Sequence, residues 1–378
     1  MTRLKLYADP NSTIFSTTPC FGSHDMFARI EKDKWELVYD INEAEVIPCT
    51  AYVDNEEFIN LLDTTIRKDQ ILLVMNIFHN DNHMTDEWFR SSVWDRVRNL
   101  KCRTLIIHNN NYDTSDPKYI FYDIMLNRQK YYMFDMEEDF YPESKRWTSN
   151  SKREYYTFGP IDKCLTKDSK KILCLNRSAF LRQYGFSKRR IARTRLENIL
   201  ADNEDVYLSD PDINVFFYPN QYATGTVDIM RSGGTWYPAA DLYYNTSYVS
   251  AYVESVTDAT GEGKIFCASE KTYDPLLKGN FILPFSTPNF IEGLKEWYGF
   301  KFPNWIDYSY DKVTDFNKRL FLYSESVKKI SQMEVETLHQ HYINDRHILE
   351  HNRNRFSEIQ YSGLHDKVVD SARYFGWL

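Results

Sequence analysis

KIFCASEKTYDPLLKGNFILPFS, residues 264–286, passes from an apolar run through a helix-like segment to a second apolar run. KIFCAS (264–269) predicts a strand, 270–278 a helix and FILPFS (281–286) another strand. A strand recovered after one intervening helix is a β-α-β unit, in which the strands run parallel and the helix covers one face of the sheet. The same alternation continues upstream through KKILCLN (170–176), a helix near 187–201, VYLS (206–209), VFFY (215–218) and SYVSAYVES (247–255), and downstream into a helix at 289–298. A matching series fills the first hundred residues. It contains LKLYAD (4–9), the helical HDMFARIEK, WELVYD (35–40), EVIPCT (45–50), a helix at 54–67, ILLVMNIF (71–78), a helix near 85–99 and RTLIIHN (103–109). The expected fold class is α/β, with two Rossmann-like halves whose ligands sit beyond the carboxyl ends of the strands.

An acidic patch (Asp135, Glu137, Glu138, Asp139) followed by the polar PESKRWTSNSKREYYT and by FGPIDK marks a boundary, which we place near residue 165. The predicted organisation is 1–165, 166–330 and a C-terminal helical part, 331–378, packing back on the first domain. Residues 314–360 read as one long amphipathic helical region. No internal repeat is evident.

At 378 residues, with 42% hydrophobic and 26% charged side chains, the chain has the composition of a globular protein and excludes collagenous or disordered classes. Its net charge of −8 argues against coating nucleic acid by bulk attraction and leaves room for a local basic groove. The N-terminal MTRLKLYADP lacks the apolar core of a signal peptide and no run reaches membrane-spanning length, so a cytoplasmic protein without a membrane partner is expected. Six cysteines (Cys20, Cys49, Cys102, Cys164, Cys174, Cys267) lie far apart without a CxxC pair, and read as reduced thiols.

Against this acidic background, Lys170 to Arg195 holds nine basic residues and no acidic one: Lys170, Lys171, Arg177, Arg182, Lys188, Arg189, Arg190, Arg193 and Arg195. Where a strand feeds a helix, such cations converge with free backbone N–H groups and favour a diphosphate; the alternative is a solvated helix face. Ser269-Glu270-Lys271 precedes a helix in the same way. Glu270 can accept hydrogen bonds from vicinal ribose hydroxyls and Lys271 can offer a charge to phosphate, or Glu270 is a capping residue. Glu254, at the end of SYVSAYVE, is either an acceptor for a donor hydroxyl or the polar end of a strand. Asp210-Pro211-Asp212 reads as a turn rather than a metal site. The spacing of His347 and His351 could share a metal, yet no HExxH pattern accompanies them; no metal is expected.

These motifs carry a resemblance. A strand ending in Glu254, F-x-x-S-E-K-T (266–272), P-L-L-K-G (275–279), an apolar strand, G-F-x-F (299–302), D-x-S-Y-D (307–311) and the late His351-Asn352 occur in the order seen in the donor half of GT-B glycosyltransferases related to fucosyltransferases. The stretch 170–352 is similar to fucosyltransferase-like proteins of tailed phages. The resemblance implies a GT-B fold with a C-terminal helix crossing back, and a nucleoside diphosphate sugar as co-substrate with no other cofactor. It places Glu270 at the ribose and Lys271 and Arg193 at the diphosphate, with Arg177 a weaker phosphate candidate and Ser269 and Glu254 beside them. The acceptor half would then supply the base. Asp25 is the first choice, with His24, His79 and Asp81 as other strand-end candidates; Asp25 as a helix cap is the alternative.

The segment SAFLRQYGFSKRR departs from the family pattern. Its cations Arg182, Lys188, Arg189 and Arg190 suggest an acceptor role, and a monomer acting on hydroxylated or hydroxymethylated cytosine in double-stranded phage DNA is expected, with the base extruded for reaction. A surface polysaccharide or lipopolysaccharide precursor is the alternative acceptor. A non-catalytic sugar- or nucleic-acid-binding protein on the same scaffold is the alternative class.

Overall fold

A computed structural model of the chain describes residues 3–7, 20–21, 31, 33–50, 63–76, 100–108, 117, 119–121, 126, 158–174, 188–201, 203–208, 243–254, 256–257, 266, 268–360 and 363–378. They form an α/β protein with two sheets of parallel strands. The first contains β1 (Leu4–Tyr7), β2 (Cys20–Phe21), β3 (Trp35–Val38), β4 (Val46–Thr50), β5 (Ile71–Asn76), β6 (Arg103–His108) and β7 (Tyr119–Phe121). Its order is β3-β1-β4-β5-β6-β7, with only β2 antiparallel, against the end of β4. Ile71 to Val74 is apolar without alternation because a parallel strand of this kind is covered on both faces.

The second sheet contains β8 (Lys170–Cys174), β9 (Val206–Leu208), β10 (Ser247–Val253) and β11 (Phe281–Phe285), in the order β11-β10-β8-β9 and parallel throughout. Its helices are α1 (Lys188–Leu200), α2 (Glu270–Leu277), α3 (Phe290–Tyr298), α4 (Phe316–Ser331) and α5 (Val335–Glu358). On one face Ile172, Cys174, Val249, Ala251 and Val253 pack with Ala192 and Leu196 of α1 and with Tyr323 and Val327 of α4. α2 connects β10 to β11.

By internal contacts the chain divides into two units. One holds Met1–Tyr131, Thr260–Phe266 and Gln360–Leu378; the other holds Tyr132–Ala259 and Cys267–Ile359. The sequence boundary near 165 therefore stands beside a division at Tyr131, and residues 127–157 around it lie outside the described residues.

One expectation is corrected. KIFCAS is not a strand at its described positions, Phe266, Ala268 and Ser269, because this buried run leads into the cap of α2. The β-α-β unit consists of β10, α2 and β11 instead. The helical region expected at 314–360 is formed by two helices, α4 and α5, separated at Gln332–Glu334.

A further helix, α6 (Leu364–Tyr374), belongs to the first unit. The His365 ring packs edge-on against Trp35, the first residue of β3, and the chain's end receives Arg103 Nη1 of β6 at Trp377 O, 3.0 Å. Four strand spacings of about 4.8 Å separate β3 from β6, roughly 19 Å, and the eleven residues of α6 at 1.5 Å each span about 17 Å, with the turn after Tyr374 covering the rest. α6 and the residues that follow it thus run past the starts of these strands.

β11 is an edge strand among the described residues, and its outward carbonyls are covered by tyrosines. Tyr308 OH donates to Ile282 O and Tyr310 OH to Pro284 O, both at 2.8 Å. Pro284 presents no N–H, so the edge offers neither donor nor open acceptor there to another strand. Tyr310→Phe is expected to strand the Pro284 carbonyl and cost about 1–3 kcal/mol. Urea unfolding measures this; an unchanged midpoint would mean that water or another donor replaces the phenol.

Candidate functional site

In the second sheet the chain moves from β8 to β9 on one side and then back to β10 on the other, so the strand order reverses between β8 and β10. The crevice beyond the carboxyl ends of two such strands is where ligands of open α/β sheets bind. β10 ends at Val253, and Glu254 follows with no solvent exposure. Its backbone N–H donates to Phe285 O at 2.9 Å, which extends the ladder and aims the side chain at the sheet's end.

The Glu254 carboxylate is satisfied by one short segment. Oε1 accepts from Ser269 N at 3.0 Å and Thr272 Oγ1 at 2.6 Å, and Oε2 accepts from Ser269 Oγ at 2.6 Å. A buried carboxylate requires such donors, since desolvation without them costs far more than the bonds return. Ser269 is the N-cap of α2, and its Oγ accepts from Lys271 N at 3.3 Å and lies 3.4 Å from Lys271 Nζ. Behind Thr272, Tyr252 OH lies 2.8 Å from Thr272 Oγ1. Because the threonine proton goes to Glu254, the phenol donates to threonine, and the chain of donors runs Tyr252, Thr272, Glu254. Burial, and then the Glu254 charge, push the Tyr252 phenol well above its ordinary value.

α1 supplies the other side of the reversal point. Its inward face carries Arg189, Ala192, Arg193, Leu196, Glu197 and Leu200, at helical spacing. Arg193 is buried beside Cys174, the last residue of β8. Burial drives the Cys174 thiol well above its usual value, Glu197 adds to that rise and Arg193 opposes it. Arg189 is also buried. Lys188 is exposed with its ammonium 5.5 Å from the Phe316 ring centroid, and Arg190 is half-buried.

The structure therefore brings Glu254, Ser269 and Lys271 together and sets Arg193 at the adjoining strand. It separates the basic residues of α1 by face, Arg189 going inward with Arg193. Glu270 opens α2, but its side chain lies outside the described residues. His24, Asp25, His79, Asp81, Arg177, Arg182 and Asp210-Pro211-Asp212 also lie outside them. Thr272 and Tyr252 were not singled out from the sequence. Their signal is slight: a hydroxyl in the first turn of a helix, and a tyrosine two residues before a strand-end carboxylate.

The late motifs bind one another. His351 Nε2 lies 2.9 Å from Gly299 O, Asn352 Oδ1 accepts from Lys301 N at 2.7 Å while its Nδ2 donates to Lys301 O at 2.9 Å, and Arg355 Nε donates to Tyr298 O at 2.8 Å. Gly299 has φ +72°, and a Cβ there would meet Arg355 Nε at 2.9 Å. The other histidines of α5 are likewise engaged: His339 Nδ1 with Tyr248 OH at 3.0 Å, His341 stacked on Trp305, and His347 Nδ1 with Asn344 O at 3.2 Å. Among the described residues no group of three or more His, Cys, Asp or Glu side chains could hold a metal ion, and no helix is long and apolar enough to cross a membrane. In comparisons with known proteins, no family model and no curated protein matches the chain.

Asp311 closes D-x-S-Y-D over the start of α3, accepting from Ile291 N at 3.0 Å and Glu292 N at 3.2 Å. Burial raises its carboxyl from 3.8 to about 6 despite these amides. The folded chain thus binds this proton more tightly than the unfolded one, so the stabilisation is complete below about pH 4 and is lost as pH rises through 6. Asp311→Asn keeps an acceptor and does not titrate. Its stability relative to wild type is expected to improve by up to about 3 kcal/mol between pH 4 and 7, since each unit corresponds to ~1.4 kcal/mol. Urea titrations across that range check it; a constant difference would refute it.

Proposed function

We propose that the chain is a GT-B glycosyltransferase that moves a sugar from a nucleoside diphosphate sugar to a hydroxyl acceptor, with cations in place of a metal at the leaving diphosphate. The observation that carries this reading is the grouping of Glu254, Ser269 and Lys271 at the carboxyl end of β10, beside which the strand order reverses, with Arg193 on the inward face of α1 opposing the rise of the Cys174 thiol at the end of β8. In this reading Glu270 holds the ribose, and Lys271 and Arg193, with Arg177 as a further candidate, face the diphosphate. Charge on that diphosphate grows as the glycosidic bond breaks, so fixed cations stabilise the transition state more than the bound donor. Asp25 is the proposed base, with His24 and Asp81 as the other candidates, and hydroxylated or hydroxymethylated cytosine in phage DNA is the proposed acceptor.

A glycan acceptor is the second reading, and one observation favours it. Arg189 turns inward and Lys188 covers the Phe316 ring, so two of the cations read as DNA-facing are used in packing.

Thermal shift with UDP, GDP and CDP is expected to show stabilisation by at least one, about 2.7 kcal/mol at a hundredfold excess over Kd. Lys271→Ala should lose most of that shift, and Arg193→Ala should lower turnover with an unchanged far-UV circular dichroism spectrum. No shift with any of the three would overturn the donor site. Nucleoside mass spectrometry after incubation with hydroxymethylcytosine DNA and donor distinguishes the acceptors: labelled glycan with unlabelled DNA would establish the second reading.

A further inference from the structure

Glu254 is the central carboxylate of the site, and its surroundings fit support better than ligand contact. It has no solvent exposure and accepts hydrogen bonds from Ser269 N, Ser269 Oγ and Thr272 Oγ1. All three donors belong to Ser269 and Thr272, which flank Lys271 in sequence. The Lys271 ammonium is in turn within 3.4 Å of the Ser269 hydroxyl that Glu254 holds. Thr272 is itself fixed from the sheet by the Tyr252 hydroxyl. A displacement of the carboxylate, the threonine or the phenol would therefore move the first turn of α2, and with it the ammonium, relative to the strand ends.

We infer that Glu254, Thr272 and Tyr252 are positioning residues that fix the first turn of α2 and the Lys271 ammonium for a nucleoside diphosphate, and that Glu254 acts through Ser269 and Thr272. The inference rests on the donor site proposed above. Supporting groups of this kind govern function because a binding group misplaced by a fraction of an ångström loses much of its effect. Thr272→Val keeps the shape of the side chain but removes a donor to Glu254 and the acceptor of Tyr252. Thr272→Ser keeps both bonds.

Isothermal titration calorimetry with UDP, GDP and CDP tests this on the full chain, alongside Ile330→Ala, which removes a buried side chain of α4 without touching the network. For whichever diphosphate binds wild type, Thr272→Val should weaken affinity about tenfold, as expected for a lost hydrogen bond to a charged group. Thr272→Ser should restore it to within about threefold, and Ile330→Ala should lower Tm with affinity retained. Tyr252→Phe should weaken binding about threefold and carries the test if Thr272→Val does not fold. Wild-type affinity in Thr272→Val, or in Tyr252→Phe when that variant carries the test, would overturn the positioning role while leaving the donor site standing. Equal losses in Thr272→Val and Ile330→Ala would do the same. Binding of none of the three diphosphates by wild type would overturn the donor reading, and this inference with it.

Discussion

A negative charge without solvent, at the end of an inner strand, imposes a demand on the chain around it. Glu254 requires hydrogen-bond donors, and Ser269 and Thr272 bring them back from fifteen and eighteen residues away. That return sets where α2 begins, and α2 sets where β11 enters the sheet beside β10. The polar requirement and the apolar packing thus specify the same β-α-β unit. Removing the carboxylate would leave the Ser269 amide, two hydroxyls and the α2 start without their common acceptor, whereas an apolar substitution elsewhere in the unit removes only packing.

The other motifs singled out in the sequence are linked pairwise in the same manner. G-F-x-F is held by His351 and Asn352 of α5, with Arg355 donating to the preceding Tyr298 carbonyl, and D-x-S-Y-D places two phenols on β11 and a carboxylate on α3. The order of these motifs along the chain therefore reflects a folding unit whose parts need one another. Such a pattern is more informative about architecture than about substrate, because any α/β unit built this way would need the same partners whatever occupied its crevice. In the proposed function Lys271 and Arg193 carry more of the chemical argument, since a cation in the first turn of α2 and another on the inward face of α1 do not follow from these cap and edge requirements.

The strands were legible where burial on both faces writes itself as an apolar run, long in β5 and β11 and shorter in β6, β8 and β10. β2 and β7, two and three residues long, are too short to have a period. KIFCAS misled because an apolar run is buried equally well when it leads into a helix cap as when it pairs. In the site, Ser269 and Lys271 were readable from their place after an apolar run and before a helix. Thr272 was not, because its role depends on a carboxylate on another element. The split of Arg189 from Lys188 depends on helix phase against α4, which residue type does not encode.

Buried cations in the second unit show why position must be weighed with charge. Lys163 Nζ donates to Tyr244 O and Ser247 O at 2.6 Å and to Asn280 Oδ1 at 2.5 Å, and burial lowers its pKa well below the ordinary range. Three ammonium hydrogens meet three fixed oxygens next to the first residue of β10 and the residue before β11, where Tyr342 of α5 also donates to Gly279 O at 2.8 Å. A cation saturated by backbone and amide oxygens at the strand starts is an internal tie, because a ligand would have to displace bonds it could not improve. Lys271 stands at the opposite end of the strands, beside the point where the order of the sheet reverses. The same kind of side chain, placed at the two ends of one sheet, can thus serve structure at the first and recognition at the second.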